Sequence, residues 1–176
     1  MISIVSEKIA KRIKSVVPEH PRSEKVLAYS ISFLLTNLSV IVLSLLISLF
    51  TGKFLETVIV LISFALLRNI SGGFHLETAW LCIILSTTIV TIIAFSNFGY
   101  FYIIVLTSIS LILTMIYSPR IERQTRIPKK YYPVLKILSM VIILISSLLG
   151  TPLVTSAFFV QSVTLIRSGR GVTANQ

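Results

Sequence analysis

Three stretches of this chain, residues 26–52, 78–119 and 137–166, contain no Asp, Glu, Lys or Arg. Each exceeds the roughly 20 apolar residues that carry a helix across a bilayer. Runs of that kind belong to membrane spans or, rarely, to the core of a soluble all-α protein. Composition decides between the two. Hydrophobic residues make up 55% of the 176 and charged residues only 12%, against about 25% charge in soluble domains. With a mean hydropathy of +0.94, most of the surface must face lipid. The sequence therefore predicts an all-α integral membrane protein.

Residues 26–50 form the first expected span, and residues 79–95 and 100–117 a pair divided by the turn-like Ser96-Asn97-Phe98-Gly99. Residues 54–67 are short and carry Glu56, so length alone leaves them open. Charge parity settles them. The N-terminal tail holds Lys8, Lys11, Arg12, Lys14, Arg22 and Lys25, and the loop 118–133 holds Arg120, Arg123, Arg126, Lys129 and Lys130. Both should be cytoplasmic, which requires an even number of crossings between them. Residues 54–67 must then cross as well, with local bilayer thinning or with Lys53 and Glu56 reaching the interface. Residues 134–149 and 153–166, divided by Gly150-Thr151-Pro152, either both cross or form a re-entrant pair; as two short spans they complete six transmembrane helices, some short, with both termini cytoplasmic. Lys53 is then the only cation in an outer loop. One transmembrane domain over 26–166 and a flexible polar tail over 168–176 follow.

Residues 1–20 lack the apolar block and cleavage site of a signal peptide. Ile2, Val5, Ile9, Ile13 and Val16 recur at helical spacing among the tail lysines and Arg12. That pattern predicts an amphipathic interfacial helix with its cations toward anionic membrane lipid, ended by Pro18 and Pro21. A net charge of +10 is explained by the positive-inside bias, and nucleic acid is not an expected partner. His20, His75 and one cysteine are too few and too scattered for a metal site, and no phosphate-binding loop is present. No cofactor is expected.

The residues suited to chemistry cluster in Arg68-Asn69-Ile70-Ser71-Gly72-Gly73-Phe74-His75, followed by Cys82, the single cysteine. A cysteine nucleophile needs an imidazole to take its proton. On one continuous helix His75 and Cys82 would stand about 10.5 Å apart along the axis, too far for a hydrogen bond. The segment 71–75 is therefore expected to be non-helical, with the next helix starting between residues 76 and 80. The glycines permit the fold-back, and backbone N–H groups there or at the helix start could cradle an oxyanion. Cys82 is expected on the protein-facing side of its helix, and Arg68 at the end of the preceding span. A small non-enzymatic transporter or channel subunit is the alternative. It calls for ionisable residues in mid-span, and only Glu56 and Lys136 lie within the expected spans, both near the ends.

The Arg-x-x-Ser-Gly-Gly-x-His-x6-Cys spacing resembles the signature of the accessory gene regulator protein B (AgrB) family, bacterial membrane endopeptidases that mature quorum-sensing peptide precursors. Tyr117-Ser118-Pro119 and the charged loop running to Pro128 resemble the family's Pro-containing basic loop. Length, amphipathic N-terminus and span count extend the likeness over nearly the whole chain. The resemblance implies that Cys82 is the nucleophile and His75 its general base, with supporting or oxyanion roles for Arg68, Ser71, Gly72 and Gly73. It implies a multi-pass protein of the bacterial cell membrane that holds part of its precursor as a Cys82 thioester and releases a cyclic thiolactone or lactone. It further implies a precursor with an acidic C-terminal tail, for which Arg123, Arg126, Lys129 and Lys130 are electrostatic candidates, and a homodimer. Glu77 or Asn69 is a candidate to orient the imidazole, and Glu77 is equally a helix-start residue.

Overall fold

The computed structural model describes residues 2–19, 23–72, 78–119 and 128–166. Among these it contains seven α-helices and one short 3-10 helix, and no strand. In chain order they are α1 (Ile2–Val16), α2 (Glu24–Thr51), α3 (Phe54–Ser71), α4 (Ala79–Ala94), α5 (Tyr100–Tyr117), the 3-10 turn Lys129–Tyr131, α6 (Tyr132–Leu148) and α7 (Pro152–Val163). Three of them, α2, α3 and α5, are long and apolar enough to cross a membrane. The chain divides into two compact units, Met1–Val58 with His75–Ala94 and Ile59–Phe74 with Phe95–Gln176.

In the first unit α2 packs against both α1 and α4. Ser23 caps α2, accepting from the Val26 N–H at 3.4 Å. Gly52 closes it in the left-handed region at φ 70, with its own N–H and that of Lys53 both donating to the Ser48 carbonyl. Only Gly52 and Lys53 separate α2 from α3. Lys53 Nζ pairs with Glu56 Oε1 at 2.8 Å, which neutralises both charges at the start of an apolar helix. The expected apolar stripe of α1 is present, but it is not the face turned to α2. Ser6 and Ala10 are buried there, while Val5, Ile9 and Val16 stay exposed. Small side chains let α1 approach α2 closely and leave the larger apolar ones for another medium.

In the second unit α5, α6 and α7 pack on one another. Leu67 of α3, Ile143 of α6 and Phe158 of α7 form a buried cluster, with Leu111, Ile142 and Val154 around it. Most other buried positions carry hydroxyls. On α5 they recur as Ile103, Thr107, Ser110 and Thr114, a single helical stripe. The buried hydroxyls of Ser63, Ser110, Ser139 and Ser162 each donate to the carbonyl four residues earlier, at 2.7–2.8 Å. Thr114 Oγ1 and Ser162 Oγ meet across α5 and α7 at 3.2 Å. Large apolar side chains point outward instead: on α6, Leu148 is 81% exposed where Ser139 is 0%. This inversion of a water-soluble protein is how helices associate in lipid, where small residues rather than apolar bulk make the contacts. Trp80, Tyr100, Tyr102, Tyr117 and Tyr131 are exposed at or next to helix ends, the positions of interfacial aromatics.

Two expected boundaries need correction. The segment expected to cross over 54–67 continues as helix to Ser71. Its 18 residues rise about 27 Å, close to the roughly 30 Å hydrocarbon thickness, so no special thinning is required. The extension is stabilised by the Arg68 cation in the last turn and by the Ser71 hydroxyl, which donates to the Leu67 carbonyl at 2.8 Å. At the other end, the segment expected over 153–166 forms a 12-residue helix of about 18 Å, followed by tighter i→i+3 bonds to Leu165 and Ile166. The α1 helix ends at Val16, before Pro18.

The packing makes a sharp distinction between neighbours. Leu67→Ala, in the buried cluster, should lower stability by about 2–5 kcal/mol. Leu66→Ala, at a 45% exposed position, should change it little. Thermal unfolding in detergent micelles measures both.

Candidate functional site

The last turn of α3 carries the first part of the Arg68–His75 motif. Arg68 is half-buried and Asn69 exposed, while Ser71 is fully buried. Gly72 ends the helix with φ 75, and its N–H donates to the Arg68 carbonyl at 2.9 Å. This is a left-handed C-terminal cap, which a residue with a Cβ adopts only at a cost. The Gly72 carbonyl then faces a partner from far along the chain: Gln161 Nε2 of α7 donates to it at 2.7 Å. The Ser71 hydroxyl lies 3.3 Å from the same carbonyl. Gln161 is fully buried, and its Oε1 has no hydrogen-bond partner among the described residues. An unsatisfied buried acceptor costs about 1–3 kcal/mol, roughly what the bond from Nε2 returns. Gln161 was not singled out in the sequence, where it reads only as a polar residue inside an apolar helix.

Cys82 lies in the other unit, in the first turns of α4. The helix starts at Ala79, within the expected range, and the Cys82 N–H makes its bond to the Thr78 carbonyl at 3.1 Å. Thr78, the described residue before α4, is not helical. The N–H groups of Ala79, Trp80 and Leu81 precede that first bond and have no acceptor within the helix. Cys82 is half-buried, with Sγ 3.9 Å from Ser86 Oγ one turn on. Along α4 the exposed ridge is Leu81, Ile84, Leu85 and Ile92, and the buried one Thr87, Val90 and Ala94. At about 100° per residue, Cys82 falls on the flank between the exposed and the buried ridge, in line with its half-burial.

Gly73, His75 and Glu77 lie outside the described residues, as do Arg123 and Arg126. The expectation that 71–75 is non-helical is corrected at Ser71, which is the last residue of α3, and holds at Gly72. Likewise Arg68 sits in the last turn of α3 rather than at its end. Lys129 and Lys130 belong to the 3-10 turn that leads into α6. Lys130 is exposed, and its ammonium rests 4.9 Å from the centre of the Tyr131 ring, a cation–π geometry that leaves the charge at the surface.

Membrane-length apolar helices, hydroxyl-lined interiors and one thiol at a helix start behind a glycine break define a helical membrane-type protein with a thiol-bearing site. The chain belongs to the Accessory gene regulator B family, whose model matches residues 6–167. It is also 26% identical to a protein of Halalkalibacterium halodurans named as AgrB-like, over 98% of this chain and 91% of that one. No solved structure matches the chain significantly. Family membership supports a role in quorum-sensing peptide processing.

The cap geometry carries a prediction of its own. Gly72→Ala should cost about 1–2 kcal/mol, the penalty of a Cβ in the left-handed region, and Gly72→Asn should cost less, because Asn tolerates that region better. Unfolding midpoints of the two variants in the same detergent compare them.

Proposed function

We propose that this protein is a membrane cysteine endopeptidase that cleaves a signalling-peptide precursor and releases a cyclic product. The observation that carries this is the placement of the only cysteine, Cys82, half-buried one turn into α4 and ten residues after Gly72 in sequence, in a chain of this family. His75 takes the thiol proton as general base. The Cys82 sulfur attacks a backbone carbonyl carbon of the precursor, and the amine of the C-terminal fragment leaves with the proton held by His75. The N-terminal fragment remains as a thioester on Sγ. A thiol or hydroxyl within that fragment then attacks the thioester carbonyl and closes a thiolactone or lactone ring, and the Cys82 thiol is regenerated. Exchange of one thioester for another is nearly energy-neutral, so ring closure needs no external energy source. The N–H groups of the first turn of α4, which have no acceptor within the helix itself, are suited to receive the carbonyl oxygen during attack, with Gly73 and Arg68 as further supporting groups.

The proposed setting is the bacterial cytoplasmic membrane, with six membrane-embedded segments from α2 to α7 in a single transmembrane domain and both termini inside. The short α7 pairs with α6 to return the chain to the cytoplasmic side. Arg123, Arg126, Lys129 and Lys130 then face the cytoplasm, where they attract an acidic precursor tail. A homodimer accords with the family resemblance.

Three outcomes test this reading. Cys82→Ala should reduce cleavage of a candidate precursor to the level of membranes lacking the protein, with insertion unchanged; continued cleavage would refute the mechanism. In a Cys82→Ala background, an impermeant thiol reagent on intact cells should label Lys53→Cys and spare Lys130→Cys. Neutralising Arg123, Arg126, Lys129 and Lys130 together should weaken precursor binding, and wild-type binding should weaken as salt shortens the screening length from about 10 Å at 0.1 M to 3 Å at 1 M.

A further inference from the structure

A serine inside a helix in apolar surroundings ordinarily gives its proton to the carbonyl one turn back. Ser63 on α3, Ser108 and Ser110 on α5, Ser139 on α6 and Ser162 on α7 all do so, at 2.7–2.8 Å. On α4 the carbonyl one turn before Ser86 is that of Cys82, and Ser86 makes no such bond among the described residues. Its hydroxyl turns instead to the side chain of the same residue, with Oγ 3.9 Å from Sγ. Both side chains are half-buried and both stand on one helix, so the contact depends on nothing outside α4. At about 100° per residue, Ser86 lies about 40° round from Cys82. The same row continues to Val90 and Ala94, which are buried. The hydroxyl therefore meets the sulfur from the deeper end of that row. It leaves the side toward the start of α4 open to an incoming peptide. A sulfur anion in a half-buried site loses part of its hydration, and a donor within reach offsets that loss. The hydroxyl can also accept from the neutral thiol, so one group serves both protonation states. In either direction the proton stays on the atom that donates it.

We propose that Ser86 is a positioning residue for Cys82: its hydroxyl fixes the rotamer of the thiol and donates to the sulfur when that is the thiolate. The inference rests on the reading of Cys82 as the nucleophile.

Because Cys82 is the single cysteine, its reactivity can be read without a precursor. Full-length protein in detergent is treated with iodoacetamide at neutral pH, and the gain in mass is followed in time. The thiolate displaces iodide, and a carbon–sulfur bond forms. Ser86→Ala should slow alkylation about fivefold, within what a hydrogen bond to a charged group contributes. Ser86→Thr keeps the hydroxyl, and Ser86→Val has nearly the same shape without it. The Thr variant should react near the wild-type rate and the Val variant as slowly as Ala. A merely structural role gives another pattern, because loss of packing exposes the thiol and Thr and Val then behave alike. Alkylation of Ser86→Ala at the wild-type rate or faster would overturn the inference, and so would equal rates for Thr and Val. The Thr and Val pair decides by itself if the Ala variant does not fold. Precursor cleavage that persists in Cys82→Ala would instead overturn the nucleophile assignment on which the inference rests.

Discussion

Backbone that leaves a helix in an apolar medium has no water to turn to, and this constraint organises the whole molecule. Helices satisfy their own interiors, so the places where the chain stops being helical are where chemistry and strain concentrate. At Gly52 the closing N–H groups fold back on Ser48. At Gly72 the same cap is used, but a carbonyl remains that the helix cannot serve, and α7 reaches it with Gln161. The break in the Arg68–His75 motif is thus tied to packing almost ninety residues away. The same logic covers the interior hydroxyls. A Ser in a lipid-embedded helix can give its proton to the carbonyl one turn back, and Ser63, Ser71, Ser110, Ser139 and Ser162 all do so. Each then behaves as a small, satisfied surface against which another helix can lie.

That economy leaves the one thiol conspicuous. Cys82 is part of neither the buried ridge of α4 nor its exposed ridge, and Ser86 Oγ stands 3.9 Å from its sulfur. A cysteine acting only as a small packing residue would lie deeper, among Thr87, Val90 and Ala94. Its position one turn inside a helix start, half-buried, suits an atom that must meet an incoming peptide while sheltered from lipid. The proposed cleavage gains from this shelter, because a thioester that excludes water survives long enough for an internal nucleophile to displace it.

Periodicity and charge made much of this legible in advance. The bounds of α5 and the start of α4 follow from charge-free runs ended by turn residues, and the thiol is visible because it is single. The end of α3 was not legible. Arg68 and Asn69 look like a terminus by polarity, yet both are compatible with a last helical turn, and the Ser71 back-bond that extends the helix is invisible to a hydropathy window. Gln161 was hidden for a different reason. Its meaning lies in a contact across 89 positions, and no local pattern distinguishes a glutamine that clamps a carbonyl from one that merely tolerates burial. The short α7 was over-extended because its apolar pattern continues past Val163, where the backbone tightens to i→i+3 bonds.

Charge placement completes the synthesis. The proposed orientation depends on few cations lying outside, and Lys53 is the exception on that side. Its pairing with Glu56 at 2.8 Å means the α2–α3 joint presents an ion pair rather than a free cation, so it opposes the positive-inside bias less than its sequence position suggests. Lys130, by contrast, rests on the Tyr131 ring with its ammonium exposed. An aromatic ring orients a cation without neutralising it, whereas a carboxylate does both. The two lysines therefore differ in what they offer an anionic partner. Lys53 has already met its countercharge. Lys130 keeps its charge available at the start of α6, as a basic segment must if it is to attract an acidic peptide tail.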